Sequence, residues 1–552
     1  MKKTRFMAII LCIFLLPPAM AADRPSKPMP AETPELIEQG HEIYTRRCSF
    51  CHGLLGDGNG PAADYMDPRP RDFTLGTFKF RTTQSGELPI NEDLFRTVSR
   101  GLSGTAMQSF DRDMIKNGLT EDQRWAVIAY IKTFAMEFAD PDFDPYQQIV
   151  PFPTERAPYN EDTIARGKII FERAKCWECH GKLGRGDGLK AFDKTDDWGF
   201  PIRIRNVTHP WKIKAGIEVE DIYMRFSTGI NGTPMPSFVE ALTEEERWDL
   251  ANFIKSLQHK LTGHQVLDVR SIDGDVPGDP DDPRWAEASP MDIRLTGQAT
   301  AAPRWQNASI EMVTLKAVFN STEIAFLIEW DDPFKDVVHK AEMEFDPAAI
   351  TPVGAFNSYV QANDMIPRQL ETFRDSIALQ FPVKPVDGTR KPHFLRGSGS
   401  QPVHLWVWNA DLDAQDMPAV TEAIARGWKQ PPKLQTAEQQ QITSTAAWDQ
   451  GRWRVVMKRP LVTEDKIDVQ FVPGKFIPMA INAWDGSNGE HRLIMSVSSW
   501  YYLTLEAPTP PAPFIYAGLA ILFTGLFGVR LTRKAQMKPE QASAPDRESE
   551  FT

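Results

Sequence analysis

The chain has 552 residues, 41% of them hydrophobic, with 44 prolines and a formal net charge of −12. This is enough apolar material for more than one buried core, and the prolines predict a segmented chain. The negative balance argues against a nucleic-acid binder and for steering toward basic patches on partner proteins.

At the start, Lys2, Lys3 and Arg5 precede an apolar run from Met7 to Leu16 and then Pro17-Pro18-Ala19-Met20-Ala21. That order predicts a secretory signal over residues 1–22, cleaved after Ala21 or Ala22. Cys12 lies inside the run and leaves with it, so it is no lipid anchor. The remaining cysteines all fall in two C-x-x-C-H motifs, Cys48-Ser49-Phe50-Cys51-His52 and Cys176-Trp177-Glu178-Cys179-His180. Two thiols at this spacing can add to the two vinyl groups of one porphyrin while the next histidine is held under the iron. Each motif therefore predicts one covalent c-type haem. A zinc site would need further ligands at matched spacing, and a redox dithiol would not need a following histidine twice.

The surroundings of the motifs repeat. A helical pattern leads into each, Gly40 to Tyr44 and Gly167 to Phe171, and a glycine-rich turn follows, Gly56-Asp57-Gly58 and Gly186-Asp187-Gly188. Each unit then has a methionine in nearly the same words, Gly104-Thr105-Ala106-Met107-Gln108-Ser109-Phe110 and Gly232-Thr233-Pro234-Met235-Pro236-Ser237-Phe238, at the same distance from the first cysteine. Each closes with a capped amphipathic helix, opened by Thr120 and by Thr243, with Trp125, Ile128 and Ile131 or Trp248, Leu250, Ala251, Ile254 and Leu257 as its apolar face. The Pro-rich stretch 141–158 separates the units.

These motifs resemble the class I c-type cytochrome domain, over residues 34–138 and 160–262. The resemblance implies two all-α domains, with His52 and His180 as proximal ligands and Met107 and Met235 as distal ones. Haem attachment of this kind, by the same resemblance, takes place outside a bacterial inner membrane. A lone methionine is more often core packing, and Met66, Met114 and Met224 are read that way. A thioether opposite an imidazole favours ferrous iron and leaves no open coordination position, which predicts electron transfer and disfavours a di-haem peroxidase. Between haem motif and methionine lies a basic stretch in each unit, Arg71 with Lys79 and Arg81, and Arg205 with Lys212 and Lys214. Arg71 and Arg205 are either contacts to haem propionates or part of a solvated basic loop.

From about Ile272 the pattern becomes β-rich: Val313 to Phe319, Ile324 to Trp330, Ser376 to Phe381, Val403 to Trp408, Arg452 to Met457, Ile467 to Phe471, Ile477 to Ala483 and Ser496 to Leu505. Alternation within them predicts an antiparallel β-sandwich of eight or more strands over residues 270–506. The segments Ile324 to Asp332, Val403 to Trp408, Ala483 to Glu490 and Ser498-Ser499-Trp500 resemble the haem-binding gamma subunit of ethylbenzene dehydrogenase. Its relatives are electron-accepting subunits of molybdenum enzymes of the dimethyl sulfoxide reductase class. That family holds a non-covalent b haem between a methionine and a lysine. Here the two places read Phe394-Leu395-Arg396-Gly397 and Leu493-Ile494-Met495-Ser496, so neither ligand stands where it is expected. A third, b-type haem would have to use Met495 with His393 or His404, and the alternative is a domain without cofactor that serves as a docking platform.

A last apolar run, residues 512–531, carries no charge before Arg530 and is followed by Arg533, Lys534 and Lys538. It predicts one transmembrane helix, with residues 532–552 cytoplasmic and the bulk of the chain in the periplasm, at the bacterial inner membrane. The span has no histidine, so it is an anchor and not a haem-carrying wire. The function expected is a di-haem relay between a periplasmic redox enzyme, by resemblance a molybdenum oxidoreductase catalytic subunit, and a respiratory carrier. The alternatives are a haem enzyme such as a peroxidase, or a ligand-sensing β domain that reports through the haems.

Overall fold

The computed structural model describes residues 25–153, 155–306, 308–337, 373–384, 386, 390–507 and 512–536. The secretory signal expected over 1–22 and the tail beyond 536 lie outside the described residues.

Two helical units come first. One contains α1 (Pro34–Arg47), α2 (Ser49–His52), α3 (Asn91–Arg100) and α4 (Glu121–Lys132), and the other repeats them as α5 (Glu161–Arg173), α6 (Trp177–His180), α7 (Val219–Thr228) and α8 (Glu244–Ser256). The first and last helices of each unit pack together over an apolar cluster, built on Tyr44, Phe95, Trp125 and Ile128 in one and on Phe171, Tyr223, Trp248 and Ile254 in the other. Their approach requires glycine. A Cβ on Gly40 would lie 2.0 Å from the Ala126 carbonyl oxygen, and one on Gly167 2.0 Å from that of Asp249.

Both closing helices start as their sequences predict. Gln123 N–H donates to Thr120 Oγ1 at 3.2 Å and Thr120 N–H donates back to Gln123 Oε1 at 3.0 Å, and Thr243 and Glu246 form the same reciprocal pair. Two otherwise orphan donors are thereby satisfied at each helix start. The middle helices α3 and α7 are an addition to the sequence reading. Leu94, Phe95 and Val98 in one, and Ile222, Tyr223 and Phe226 in the other, are buried on a helical period.

Beyond them the chain is sheet, in strands β1 (Val266–Ser271), β2 (Met291–Arg294), β3 (Thr296–Gly297), β4 (Met312–Phe319), β5 (Glu323–Asp331), β6 (Ser376–Pro382), β7 (Val403–Asn409), β8 (Val420–Ala425), β9 (Lys433–Leu434), β10 (Thr443–Asp449), β11 (Arg452–Pro460), β12 (Phe476–Trp484), β13 (Ser496–Val497) and β14 (Tyr501–Leu505). Hydrogen bonding runs in the order β10-β11-β5-β4-β1-β14-β12-β6-β7-β8-β9. Neighbours on this path are antiparallel except at β1, which is parallel to both β4 and β14. No hairpin ties β1 to either strand, so no tight turn fixes its direction. One core draws alternate residues from distant parts of the path, among them Phe326, Ile328 and Trp330 of β5, Leu379 and Phe381 of β6, and Trp406 and Trp408 of β7.

Two expected strands differ. Ile467 to Phe471 is not a strand. Asp468 turns inward and accepts from Gln435 Nε2 at 2.6 Å and Thr463 Oγ1 at 2.7 Å, while Val469 N–H donates to His404 Nδ1 at 3.2 Å. Side chains thus take what a ladder would need. Ser496 to Leu505 is two strands, parted where Ser498 Oγ accepts the Ile481 N–H at 2.8 Å.

The second helical unit sits between the first and the sheet. Arg81 donates to the Thr228 carbonyl at 2.8 Å and Gly86 N–H to Asn231 Oδ1 at 3.0 Å on one side. On the other, Arg185 donates to the Gln450 carbonyl at 2.8 Å and Arg203 to Asn488 Oδ1 at 2.8 Å. A single turn, α9 (Ala410–Asp413), follows β7, and the chain ends in α10 (Ala512–Gln536). Within α10, Ile515–Lys534 is long and apolar enough to cross a membrane by length and composition, and none of the described residues covers it.

Candidate functional site

The C-x-x-C-H motifs form the single turns α2 and α6, which put both histidines into the protein interior. His52 Nδ1 lies 2.9 Å from the Arg71 carbonyl oxygen and His180 Nδ1 lies 3.2 Å from that of Arg205. A carbonyl only accepts, so Nδ1 carries the proton and Nε2 keeps its lone pair, the tautomer needed to ligate a metal. Burial lowers the pKa of both rings, which keeps them neutral. Burial also pushes the Cys48 thiol up to about 12 and the Cys176 thiol up to about 11.

The two methionine loops are built alike. Leu102 N–H donates to the Met107 carbonyl at 2.8 Å and Ile230 N–H to the Met235 carbonyl at 3.1 Å. Thr105 and Thr233 each donate back to the residue three before them, and Ser109 Oγ and Ser237 Oγ close the loops on the Ser99 and Ser227 carbonyls at 2.6 and 2.7 Å. The equal cysteine-to-methionine spacing hides one difference, because the carbonyl that holds the histidine comes 19 residues after it in the first unit and 25 after it in the second.

In the second unit, Cys176, Cys179, His180 and Met235 line one cavity of about 1420 Å³, which reaches across to the first unit. In the first unit, Cys48 and Met107 pack on a common apolar cluster, and the His52 ring stacks on Phe73 at 4.5 Å. Arg71, Lys79, Arg205 and Lys214 also face the cavity. Burial lowers all four, and neighbouring cations add to the effect on both lysines: Arg71 falls to about 10, Lys79 to about 8, and Arg205 and Lys214 lie below their ordinary values. The Arg71 guanidinium lies over the Trp198 ring of the second unit, 4.1 Å from its centre. All four cations are at most half-exposed.

The donor set fits haem c. It offers paired thiols, a neutral imidazole with a free nitrogen, a thioether, and clustered cations that suit propionates.

The sheet gives a different result for a b haem. The two expected ligand positions do meet, since Arg396 Nη2 donates to the Arg492 carbonyl at 3.1 Å. Arg396 has no lone pair to give iron. Met495 is fully buried in a small apolar cluster with Ala378, Leu395, Trp484 and Val497. His393 spends Nδ1 on the Leu395 N–H at 3.1 Å. His404 is sealed beside Glu422, Asp468 and Arg459, and burial together with Arg459 holds it down to about 3. Among the described residues, these candidates do not fit a third haem.

Sequence reasoning missed the Arg71 and Arg205 carbonyls, which no residue type announces, and the loop carrying Trp198, for which the unequal spacing was the available signal.

Comparison with known proteins agrees with this division. The family described as Cytochrome c matches residues 37–135 and 164–258, and the family described as Ethylbenzene dehydrogenase matches residues 282–431 and 419–496. The chain is 24% identical over 266 residues to a respiratory nitrate reductase heme subunit, ORF7, of Haloferax mediterranei, covering 47% of this chain and 82% of that protein. It is 23% identical over 250 residues to dimethylsulfide dehydrogenase subunit gamma of Rhodovulum sulfidophilum, covering 43% and 79%. Among solved structures, a chain of the reducing HAO-like protein complex Kustc0457/Kustc0458 of Kuenenia stuttgartiensis is 43% identical, covering 40% of this chain and 96% of that one, with a TM-score of 0.37.

Proposed function

Because the chain belongs to the cytochrome c family over two regions and to the ethylbenzene dehydrogenase family over a third, we propose that it is the electron-transfer subunit of a periplasmic oxidoreductase complex, anchored to the inner membrane by α10. It relays electrons and is not the catalytic subunit. The observation that carries this reading is the meeting of Cys176, Cys179, His180 and Met235 at one cavity that Arg71, Lys79, Arg205 and Lys214 also line.

A bound haem supplies a one-electron Fe(III)/Fe(II) couple. The chain's residues do the rest. His52 and His180 would hold the iron through Nε2, because Nδ1 is engaged by a carbonyl. Met107 and Met235, held by the matched loops, would hold it through their thioethers, which would favour the reduced state and exclude small ligands. Arg71 and Arg205 would hold propionates, with Lys79 and Lys214. Residues 34–138 and 160–262 are the two domains, each of class I type, and 270–506 is a sandwich folded over the common core. The sheet docks the partner, a redox enzyme for which a molybdenum oxidoreductase is our reading, since the relatives are named as subunits of a nitrate reductase and a dimethylsulfide dehydrogenase.

A pyridine haemochrome spectrum of the purified full chain should give two c haems and no b haem. Replacing Met107 or Met235 by Ala should lower the potential of that haem by on the order of 100 mV, a fraction of the roughly 0.8 V that axial ligand sets span. It should also open that iron to carbon monoxide. Absence of covalent haem would end the reading, and two unmoved potentials would remove the methionine assignment.

A further inference from the structure

Three carboxylates from distant parts of the sheet meet away from the haem sites. Asp332 follows β5, Asp375 precedes β6 and Asp485 follows β12, each is buried, and one carboxylate oxygen from each lies within 4.8 Å of the others. Asp336 and Glu490 stand beside them. Burying like charges this way is costly unless a cation or shared protons intervene.

Asp375 accepts from Gly486 N–H at 2.9 Å on Oδ1 and from Asp336 N–H at 2.8 Å and Trp453 Nε1 at 3.0 Å on Oδ2, which leaves one acceptor site on Oδ1. Asp485 Oδ1 accepts from Ser487 Oγ at 2.6 Å and Asn488 N–H at 3.1 Å. Asp332 has no exposed surface, and while its Oδ1 accepts from Phe334 N–H at 3.2 Å, its Oδ2 has no partner at all. Backbone donors pin these carboxylates in place, and no side-chain cation among the described residues neutralises them. Arg374, next to Asp375 in sequence, pairs with Asp411 at 3.1 Å, and Arg452 pairs with Asp331 at 2.9 Å.

A second buried cluster in the same sheet provides the contrast. His404, Glu422 and Asp468 also lie close together, but Arg459 stands 3.3 Å from Glu422 and 3.4 Å from Asp468 and supplies their counter-charge. The Asp332 cluster has no such residue among the described ones.

We propose that Asp332, Asp375 and Asp485 bind a calcium ion that clamps the ends of β5, β6 and β12 together. The donors are all carboxylate oxygens, which select a hard cation over zinc or copper. Strand ends and a turn suit the irregular, oxygen-rich shell of calcium better than the strict octahedron of magnesium. Burial and mutual repulsion raise the pKa of Asp332 and Asp375, a strain that a divalent cation relieves. The clamp also bears on the assembly, since the turn after Asp485 carries Asn488, which receives Arg203 of the second helical unit at 2.8 Å.

The test is thermal unfolding of the haem-loaded full chain in detergent, in EGTA and in increasing calcium chloride, with bound calcium counted by mass spectrometry after dialysis. One calcium per chain should be retained, and calcium at 100-fold above its Kd should raise the sheet transition by about 5–10 °C. D332N should weaken calcium binding by about tenfold or more and abolish that shift, with the haem spectrum unchanged. The proposal is overturned if the wild-type transition ignores both EGTA and calcium. It is also overturned if D332N melts higher than the wild type without calcium dependence, which would mean protonated acids sharing hydrogen bonds. A shift produced equally by magnesium chloride would overturn the assignment to calcium. The wild-type titration decides the matter even if the variant does not fold.

Discussion

Lys79 separates the chemistry written in single residues from that which depends on placement. In sequence it belongs to a basic stretch with Arg71 and Arg81, which reads equally as solvated loop. In the structure its ammonium faces the cavity shared by both helical units, where burial and the nearby Arg71 hold it down to about 8. A cation there stabilises the oxidised state less than the reduced one. Lys79→Gln should therefore lower a haem potential, by roughly 1 kcal/mol or on the order of 40 mV for one electron. Spectroelectrochemical titration of the variant would measure it, and an unchanged pair of potentials would return Lys79 to the surface. The proposed iron ligands rest on signals written in the sequence, because thioether formation fixes spacing and the methionine loops repeat their wording. The histidine-orienting carbonyls were not, since any residue has one.

At the scale of elements, the helix pairs were legible at their caps and apolar faces, whereas their contact is governed by glycine. Gly40→Ala would add about 1 kcal/mol of helix propensity, but its Cβ would have to occupy space 2.0 Å from the Ala126 carbonyl oxygen. Forced overpacking costs about 1–3 kcal/mol, so packing should win, and Gly40→Val should cost more than Gly40→Ala. Gly167 should behave the same way against Asp249. Denaturant melts followed at the Soret band would show the loss, and a stabilised Gly40→Ala variant would contradict it. The same limit explains the false strand at Ile467 to Phe471. Its apolar alternation matches a strand, yet Asp468 is drawn to buried partners that only the folded sheet assembles.

For the whole molecule, the spatial order first unit, second unit, sheet follows chain order, but the contacts that set it were invisible because they join charges far apart in sequence. Glu311 is one of them. Burial alone would raise its pKa, but His209 at 3.5 Å, Lys212 at 3.2 Å and Arg205 overcome that and hold it at about 2. The folded value lies below the ordinary 4.5, so the stabilisation is complete above about pH 4.5 and is lost as pH falls toward 2. Up to roughly 3 kcal/mol is involved. The second unit should loosen from the sheet across that window, seen as faster proteolysis of residues 258–265, and equal cleavage at pH 6 and pH 3 would count against it.

Arg71 has an effect beyond its own domain. Its main chain steers the imidazole of the first unit, and its side chain rests on an indole of the second. Any rocking of one unit against the other pulls on the backbone that aims His52. Under the proposed ligation, the midpoint of the first centre would be a property of the pair, and a docked partner that shifts the joint would have a mechanical handle on it.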